Sequence, residues 1–277
     1  MSTLPVDIYS VAAVREIDRT AIEDHGIPGY TLMTRAGAAA VSEARSMFPD
    51  ARRWHVVCGA GNNAGDGYVV ARLAAQEGIV VSVVALVDPG SLKGDAAAAY
   101  RDFAAEGGVV SAWAGQLDAE ADLIVDALLG SGLERDVEGE FALAVAAINS
   151  HQAGVVALDI PTGIHGDTGN VMGFAVRADL TVTFVGLKEG LFLGDGPEYG
   201  GALAFTDLGV PPQCRQALDA AFRRVDDDHM RRTLAPRRRT AHKGDFGHVL
   251  VVGGGPGMPG AVRLCGEAAL RAGAGLV

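Results

Sequence analysis

Three short stretches combine oxygen-bearing side chains with glycines at the ends of apolar runs. The first is Cys58-Gly59-Ala60-Gly61-Asn62-Asn63-Ala64-Gly65-Asp66-Gly67, which leads into a helix expected over Tyr68–Gln76. Backbone amides at such a helix start favour an anion such as a pyrophosphate. Read as Gly59-x-Gly61-x-x-Ala64, the stretch fits a loose dinucleotide fingerprint, with Asp88 after the next apolar run as a ribose partner. Two adjacent asparagines and an aspartate are more polar than a simple dinucleotide loop needs; the alternative reading is a well-capped turn. The second stretch, Asp126 through Gly130-Ser131-Gly132-Leu133-Glu134-Arg135-Asp136, puts a carboxylate inside an apolar run. A buried carboxylate must be paired, metal-bound or protonated, because an isolated buried charge is costly. Its alternative reading is a helix cap, although the following helix is expected to begin only near Glu140. The third, Asp159-Ile160-Pro161-Thr162-Gly163, repeats the arrangement with a hydroxyl three residues on. Asn63, Asp126 and Thr162 thereby offer oxygens from three loops. Neutral oxygens with a single carboxylate suit a monovalent cation better than zinc, for which cysteine and histidine ligands are missing.

The elements that must position these residues follow from hydrophobic patterning. Val11, Val14, Ile17, Ala21 and Ile22 share one helical face after Ser10, a candidate N-cap, and a second helix is expected after Gly29. Short apolar runs then alternate with Ala-rich amphipathic segments: His55–Cys58, Val80–Val87, Leu123–Leu129, Val155–Ile160 and Leu180–Val185. Runs without period-two alternation, separated by helices, predict parallel strands buried on both faces. The expected fold is therefore α/β, a Rossmann-like three-layer α/β/α sandwich with a mostly parallel sheet. In such sheets ligands bind beyond the strand C-termini, where all three stretches fall.

Composition narrows the function classes. The 277 residues are 49% hydrophobic with a net charge of −11, which argues against general nucleic-acid binding. No stretch has the roughly 18–20 apolar residues needed to cross a membrane, and MSTLPVDIYS lacks the basic-then-apolar order of a signal peptide, so a cytoplasmic protein is expected. Cys58, Cys214 and Cys265 form no pair pattern; Cys58 reads as a core residue. The histidines have no spacing that points to a metal or a triad. Charge is uneven: residues 1–222 carry 13 basic and 29 acidic side chains, whereas residues 223–277 carry 10 basic and 5 acidic. A domain over 1–222, a solvated connector over 223–240 and a further segment over 241–277 are expected.

Taken together, CGAGNNAGDGYVVAR, DALLGSGLERDVEG and DIPTGIHGDTGNVMGFAVRADLTVTFVGLKEGL resemble the YjeF N-terminal family, the NAD(P)H-hydrate epimerases. The N-terminal pattern Asp18…Gly26-Ile27-Pro28…Leu32-Met33…Ala36-Gly37 matches as well, and the resemblance runs from about residue 8 to 212. It implies interconversion of the two C6 epimers of hydrated NADH or NADPH, by hydroxide loss and return or by ring opening and reclosure. Asn62, Asn63, Ala64, Gly65, Asp66 and Gly130 through Asp136 would contact the hydrate, with Asp159 beside the reacting ring as acid/base. Asn63, Asp126 and Thr162 match the family's potassium ligands, one ion per domain, and the family forms homo-oligomers. The sequence departs from the family's pattern at Ala64, where Gly is frequent, at Thr162, where Ser is, and at Thr34, where Glu is.

The C-terminal stretch carries a second resemblance. His242-Lys243-Gly244-Asp245-Phe246-Gly247-His248, an apolar strand expected over Val249–Val252, a Gly/Pro-rich turn and an Ala-rich helix resemble the start of the ADP/ATP-dependent NAD(P)H-hydrate dehydratase, a ribokinase-like domain. The family's nucleotide-phosphate and base motifs would lie beyond Val277, and Ala261 alone matches its hydrate-binding positions. Two other readings stay open at this level. One is an ordinary NAD(P)-dependent dehydrogenase, for which no Tyr-x-x-x-Lys or similar proton-relay pair is present; the other is a non-catalytic dinucleotide-binding module.

Overall fold

A computed structural model describes residues 4–216 and 218–277, so the first three residues of the N-terminal stretch lie outside it. The chain divides into two compact units, Met1–Arg224 and Val225–Val277.

The first unit opens with β1 (Asp7–Tyr9) and α1 (Val11–Glu23), whose start is fixed by the Ser10 hydroxyl accepting from the Ala13 amide at 3.2 Å. Helix α2 (Gly29–Met47) follows. Then comes the alternation read from the sequence: β2 (Arg53–Cys58), α3 (Asn62–Gln76), β3 (Val80–Ala85), α4 (Gly94–Ala105), β4 (Val110–Ala112), β5 (Leu123–Ala127), α5 (Gly139–Ser150), β6 (Gly154–Leu158) and β7 (Leu180–Phe184). Beyond β7 lie β8 (Leu187–Lys188), α6 (Gly196–Tyr199), β9 (Ala202–Thr206), α7 (Gln213–Gln216) and β10 (Phe222–Arg223).

Seven strands form one sheet in the order β4-β3-β2-β5-β6-β7-β9, with every neighbouring pair parallel. Its central strands β2, β5, β6 and β7 are buried on both faces. Val56 and Val125 join Ile17, Met33 and Tyr68 of α1, α2 and α3 in one core, while the adjacent Val57 and Ile124 pack with Val145 and Ile148 of α5 in another. Side chains alternate across a strand, so continuous apolar runs supply both layers at once. This is the Rossmann-like α/β/α sandwich expected from the runs. A smaller sheet, β10-β1-β8, was not foreseen, and neither were β4 and β9, all short segments without a distinctive apolar run.

The strand order reverses between β2 and β5: the chain moves outward from β2 through β3 to β4, then returns to place β5 on the other side of β2. Loops leaving adjacent strands in opposite directions open a crevice at their C-terminal ends, the favoured ligand position in open parallel sheets.

One helix boundary differs from expectation. Helix α3 begins at Asn62, not at Tyr68, so Asn62 to Gly67 are helical. Gly65 and Gly67 suggest a loop by propensity, but packing overrides it. A Cβ on Gly65 would lie 2.7 Å from the Met33 methyl, and one on Gly67 would lie 2.5 Å from the Ala127 Cβ. The glycines let the first turns of α3 press against α2 and β5.

In the second unit, α8 (Asp227–Thr233) is capped by the Asp226 carboxylate, which accepts from the His229 amide, and α9 spans Gly260–Ala272. The strand expected over Val249–Val252 does not form; the neighbouring backbone makes only an isolated bridge between His248 and Leu276. Leu250 and Val252 are 87% and 85% exposed. An apolar run becomes a strand only when a neighbour supplies its hydrogen bonds along its length and a cover for its side chains; here only the Val249 amide is bonded across, to the Leu276 carbonyl at 2.9 Å, and Leu250 and Val252 stay uncovered among the described residues. Arg223 and Arg224, by contrast, belong to the first unit: Arg223 pairs with Asp7, and the Arg224 amide donates to the Val6 carbonyl.

Candidate functional site

At the reversal point lies a cavity of about 1090 Å³, lined by residues from the loops after β2, β5, β6 and β7 and by the faces of α1, α2 and α3. Its size is at the upper end for small-molecule sites and suits an extended, dinucleotide-sized ligand. Asn62, Asn63, Asp66, Gly130, Ser131, Gly132, Leu133, Glu134, Arg135 and Asp159 all line it. Ala64, Gly65 and Asp136 do not: Ala64 is fully buried in the core, Gly65 packs on Met33, and Asp136 is exposed. Ala261 stands in the first turn of α9, in the second unit. Asp88 is used locally, its carboxylate accepting from the Gly90 amide at 3.0 Å, and it does not line the cavity.

The loops after β2 and β5 meet backbone to backbone. The Gly59 amide donates to the Ala127 carbonyl at 3.0 Å, and a Cβ on Gly59 would fall 2.1 Å from the Leu128 carbonyl oxygen. Only glycine permits that approach. Below the meeting point, Asp126 is completely buried and densely bonded. Its carboxylate accepts from the Thr162 amide at 2.8 Å, the Thr162 hydroxyl at 2.7 Å and the Leu128 amide at 3.2 Å. Burial pushes the carboxyl up to about 6, opposed by those same bonds. The Thr162 hydroxyl in turn accepts from the Leu129 amide at 2.9 Å, tying the loop after β6 to the loop after β5. Asn63 is 7% exposed, sits beside Gly130, and has both side-chain polar atoms buried without a partner among the described residues. An orphaned carboxamide in a polar cleft calls for a ligand or an ion, since leaving it unpaired is unfavourable.

The ring of the cavity nearest β6 and β7 is ionic. Asp159 follows β6 with φ +66°, a left-handed conformation that costs a non-glycine residue on the order of 1 kcal/mol and recurs at functional positions. Its carboxylate accepts from Lys188 on β8. Lys188 is 1% exposed and spends its other donors on the Thr183 hydroxyl at 3.1 Å and the Phe184 carbonyl at 2.8 Å. Two further carboxyls share this environment. Asp66 on α3 is held well above the ordinary carboxylate range by burial, with repulsion from Asp159 and Asp18 added and attraction to Lys188 opposing. Asp18 on α1 is pushed up to about 6 by burial, with Lys188 opposing and Asp159 reinforcing. Burial and the nearby carboxylates thus leave Asp66 and Asp18 with a stronger hold on their protons than an ordinary carboxyl has.

Lys188 and the acid/base character of Asp18 were missed by sequence reasoning, although both lie inside recognised patterns. The one available signal was a lysine shortly after the apolar run Leu180–Val185, at the same strand-end edge as Asp159. Thr34, a departure from the family's pattern, donates to the Tyr30 carbonyl of its own helix at 2.8 Å and does not line the cavity. Burial pushes the Cys58 thiol far up, in keeping with a core role. No group of three or more His, Cys, Asp or Glu residues among the described residues has metal-binding geometry, and no described helix is long and apolar enough to cross a membrane.

Comparison with known proteins finds relatives over nearly the whole chain. The bifunctional NAD(P)H-hydrate repair enzyme Nnr of Escherichia coli K12 is 42% identical over 275 residues, covering 99% of this chain and 53% of that protein. Its counterpart in Coxiella burnetii is 43% identical over 270 residues, covering 98% and 55%. The chain thus spans about half the length of the curated relatives it matches. The crystal structure of yeast ynu0, YNL200c, superposes with a TM-score of 0.66 at 19% identity, covering 80% of this chain and 98% of that one, a likeness of fold. The family model described as YjeF-related protein N-terminus matches residues 29–190, the segment that carries α2, α3 and the loops after β2, β5, β6 and β7. With more than half of its length inside that match, the chain belongs to the YjeF-related N-terminus family.

Proposed function

We propose that the first unit interconverts the two C6 epimers of hydrated NADH or NADPH as a metabolite-repair step. One observation carries the reading: a dinucleotide-sized cavity at the strand-order reversal whose reacting end holds the Asp159–Lys188 pair and the carboxyl of Asp66. Epimerising a carbon that bears a hydroxyl next to a ring nitrogen calls for proton transfer to and from oxygen, which neighbouring carboxyls in unequal protonation states can perform. The relatives named as hydrate repair enzymes support the same substrate class. The glycines after β5 let the backbone approach the dinucleotide closely, and the amides at the start of α3 favour its pyrophosphate.

The reading includes a potassium ion. The donor set fits: Asn63 offers an unpartnered buried oxygen, Asp126 a buried carboxylate, and Thr162 a hydroxyl bonded to that carboxylate. When bound, the ion would supply fixed positive charge that balances Asp126 and orients the loop at the head of α3. Homo-oligomeric assembly goes with this reading. Dehydration of one epimer with ADP or ATP belongs, in the same reading, to a longer chain in which the stretch from residue 241 opens a second catalytic domain and Ala261 approaches the hydrate.

The test is direct. Separated hydrate epimers are incubated with the protein in potassium buffer and in a buffer free of potassium, and their interconversion is followed chromatographically against the uncatalysed rate. Interconversion that depends on Asp159 is expected, with Asp159→Asn inactive and still able to bind the dinucleotide. Wild-type protein that leaves the epimers at the uncatalysed rate would refute the proposal.

A further inference from the structure

The cavity holds more acid/base groups than a single proton donor requires. Inversion at C6 needs one group to release oxygen from one face of the ring and another to receive the proton of the oxygen arriving on the other face. Asp159 and Asp66 come from different elements. Asp159 follows β6, and Asp66 stands on α3, which follows β2; β5 lies between β2 and β6 in the sheet. Both carboxyls line the same cavity from different elements, Asp66 from the second turn of α3 and Asp159 from the loop after β6, with Lys188 of β8 lining it as well.

The two carboxyls differ in their partners. Asp159 is bonded by an ammonium that is 1% exposed and whose other two donors are already used, so the pair is an ion pair built into the fold. Asp66 has no such ion pair among the described residues, and after burial the Asp159 carboxylate is the strongest charged influence on it. Asp18, on α1, faces Lys188 first and Asp159 second. The remaining charged groups around the cavity are Arg15, Arg19, Asp95, Glu134 and Arg135.

Resting on the epimerase reading above, we propose that Asp66 and Asp159 are a divided acid–base pair, with Lys188 the positioning residue that keeps Asp159 the base. Asp66 gives its proton to the C6 hydroxyl as the C6–O bond breaks, and the bonding pair leaves with the oxygen as water. The lone pair on N1 forms the N1=C6 double bond. Water adds to C6 from the opposite face, the N1=C6 pair returns to nitrogen, and the water proton passes to Asp159. One proton has then crossed from Asp66 to Asp159, and the reverse epimerisation, or exchange with solvent, restores the starting state. No oxidant, reductant or second substrate is needed. The raised proton affinity of Asp66 agrees with its part as the acid.

The experiment uses the whole chain and pure hydrate epimers. Asp66→Asn is expected to lower kcat at least 100-fold with KM changed less than threefold, and to abolish the loss of rate at high pH that deprotonation of Asp66 causes in the wild type. Lys188→Met is expected to lower kcat at least 10-fold with KM changed less than threefold, and Lys188→Arg to recover part of that loss, a split that a purely structural lysine would not produce. On wild-type protein in ¹⁸O-water, each inversion should place one solvent oxygen at C6, a measurement independent of whether either variant folds. Asp66→Asn retaining kcat within threefold, or inversion without solvent oxygen, overturns the divided pair while leaving the epimerase reading in place. A wild type that does not epimerise the hydrates overturns both.

Discussion

Thr162 offers a stability experiment whose magnitude follows from two bonds. Its hydroxyl donates to the buried Asp126 carboxylate at 2.7 Å and accepts from the Leu129 amide at 2.9 Å, and the residue is 0% exposed. Thr162→Val keeps the shape and removes the oxygen. The Leu129 amide then lacks a partner, at about 1–3 kcal/mol, and the carboxylate loses a charge-assisted bond worth about 1.5–3 kcal/mol. Together these set an expected destabilisation of about 3–5 kcal/mol. Thr162→Ser keeps both bonds and gives up one buried methyl, about 1 kcal/mol. The assay is urea unfolding in potassium-free buffer at pH 7, followed by tryptophan emission. Trp54 and Trp113 are the two tryptophans of the chain and both lie in the first unit, so the signal reports that unit alone. Valine and serine variants within about 1 kcal/mol of each other would refute the claim that this hydroxyl joins the loops after β5 and β6.

Three further outcomes follow from the same structure. Asp18 has a folded-state pKa of about 6 against an ordinary value of 3.8, so its contribution to stability is fully present below pH 4 and is lost as pH rises to about 6. Asp18→Asn should therefore stabilise the first unit at pH 7, by on the order of 1–2 kcal/mol, and have little effect at pH 4 by the same urea assay. Gly59→Ala should cost more than about 3 kcal/mol, because its Cβ would lie 2.1 Å from a backbone oxygen that cannot retreat without parting β2 from β5. A variant as stable as the wild type would show that the two loops yield freely. Finally, potassium at 100 times its dissociation constant should stabilise the first unit by about 2.7 kcal/mol, an effect absent with lithium and lost in Asn63→Ala. Equal responses in wild type and variant would remove Asn63 from the ion's ligands.

The amino-acid sequence by itself determined the layer architecture and the edge at which chemistry gathers. Apolar runs such as Leu123–Leu129 and Val155–Ile160 have no polar alternation, and a strand without a polar face must be covered twice, which requires helices on both sides of a parallel sheet. Asp126 and Asp159, placed at the ends of such runs, marked the C-terminal edge for the same reason: a charge there needs a purpose or a partner.

Tertiary structure decided which partner. Asp126 is satisfied by the Thr162 hydroxyl and by the backbone amides of Thr162 and Leu128, Asp159 by a lysine 29 residues away, and Asn63 by nothing among the described residues. Those three outcomes depend on distances between loops that are far apart in sequence, and no local pattern encodes them. The start of α3 was misjudged because Gly65 and Gly67 look like helix breakers until their contacts with Met33 and Ala127 are known. The run Val249–Val252 misled in the opposite sense, since apolar composition permits a strand but only a neighbouring strand makes one. Local sequence sets what each segment can be. The assembled fold decides which buried charges meet, because the cost of an unpaired charge is felt only once water has been excluded around it.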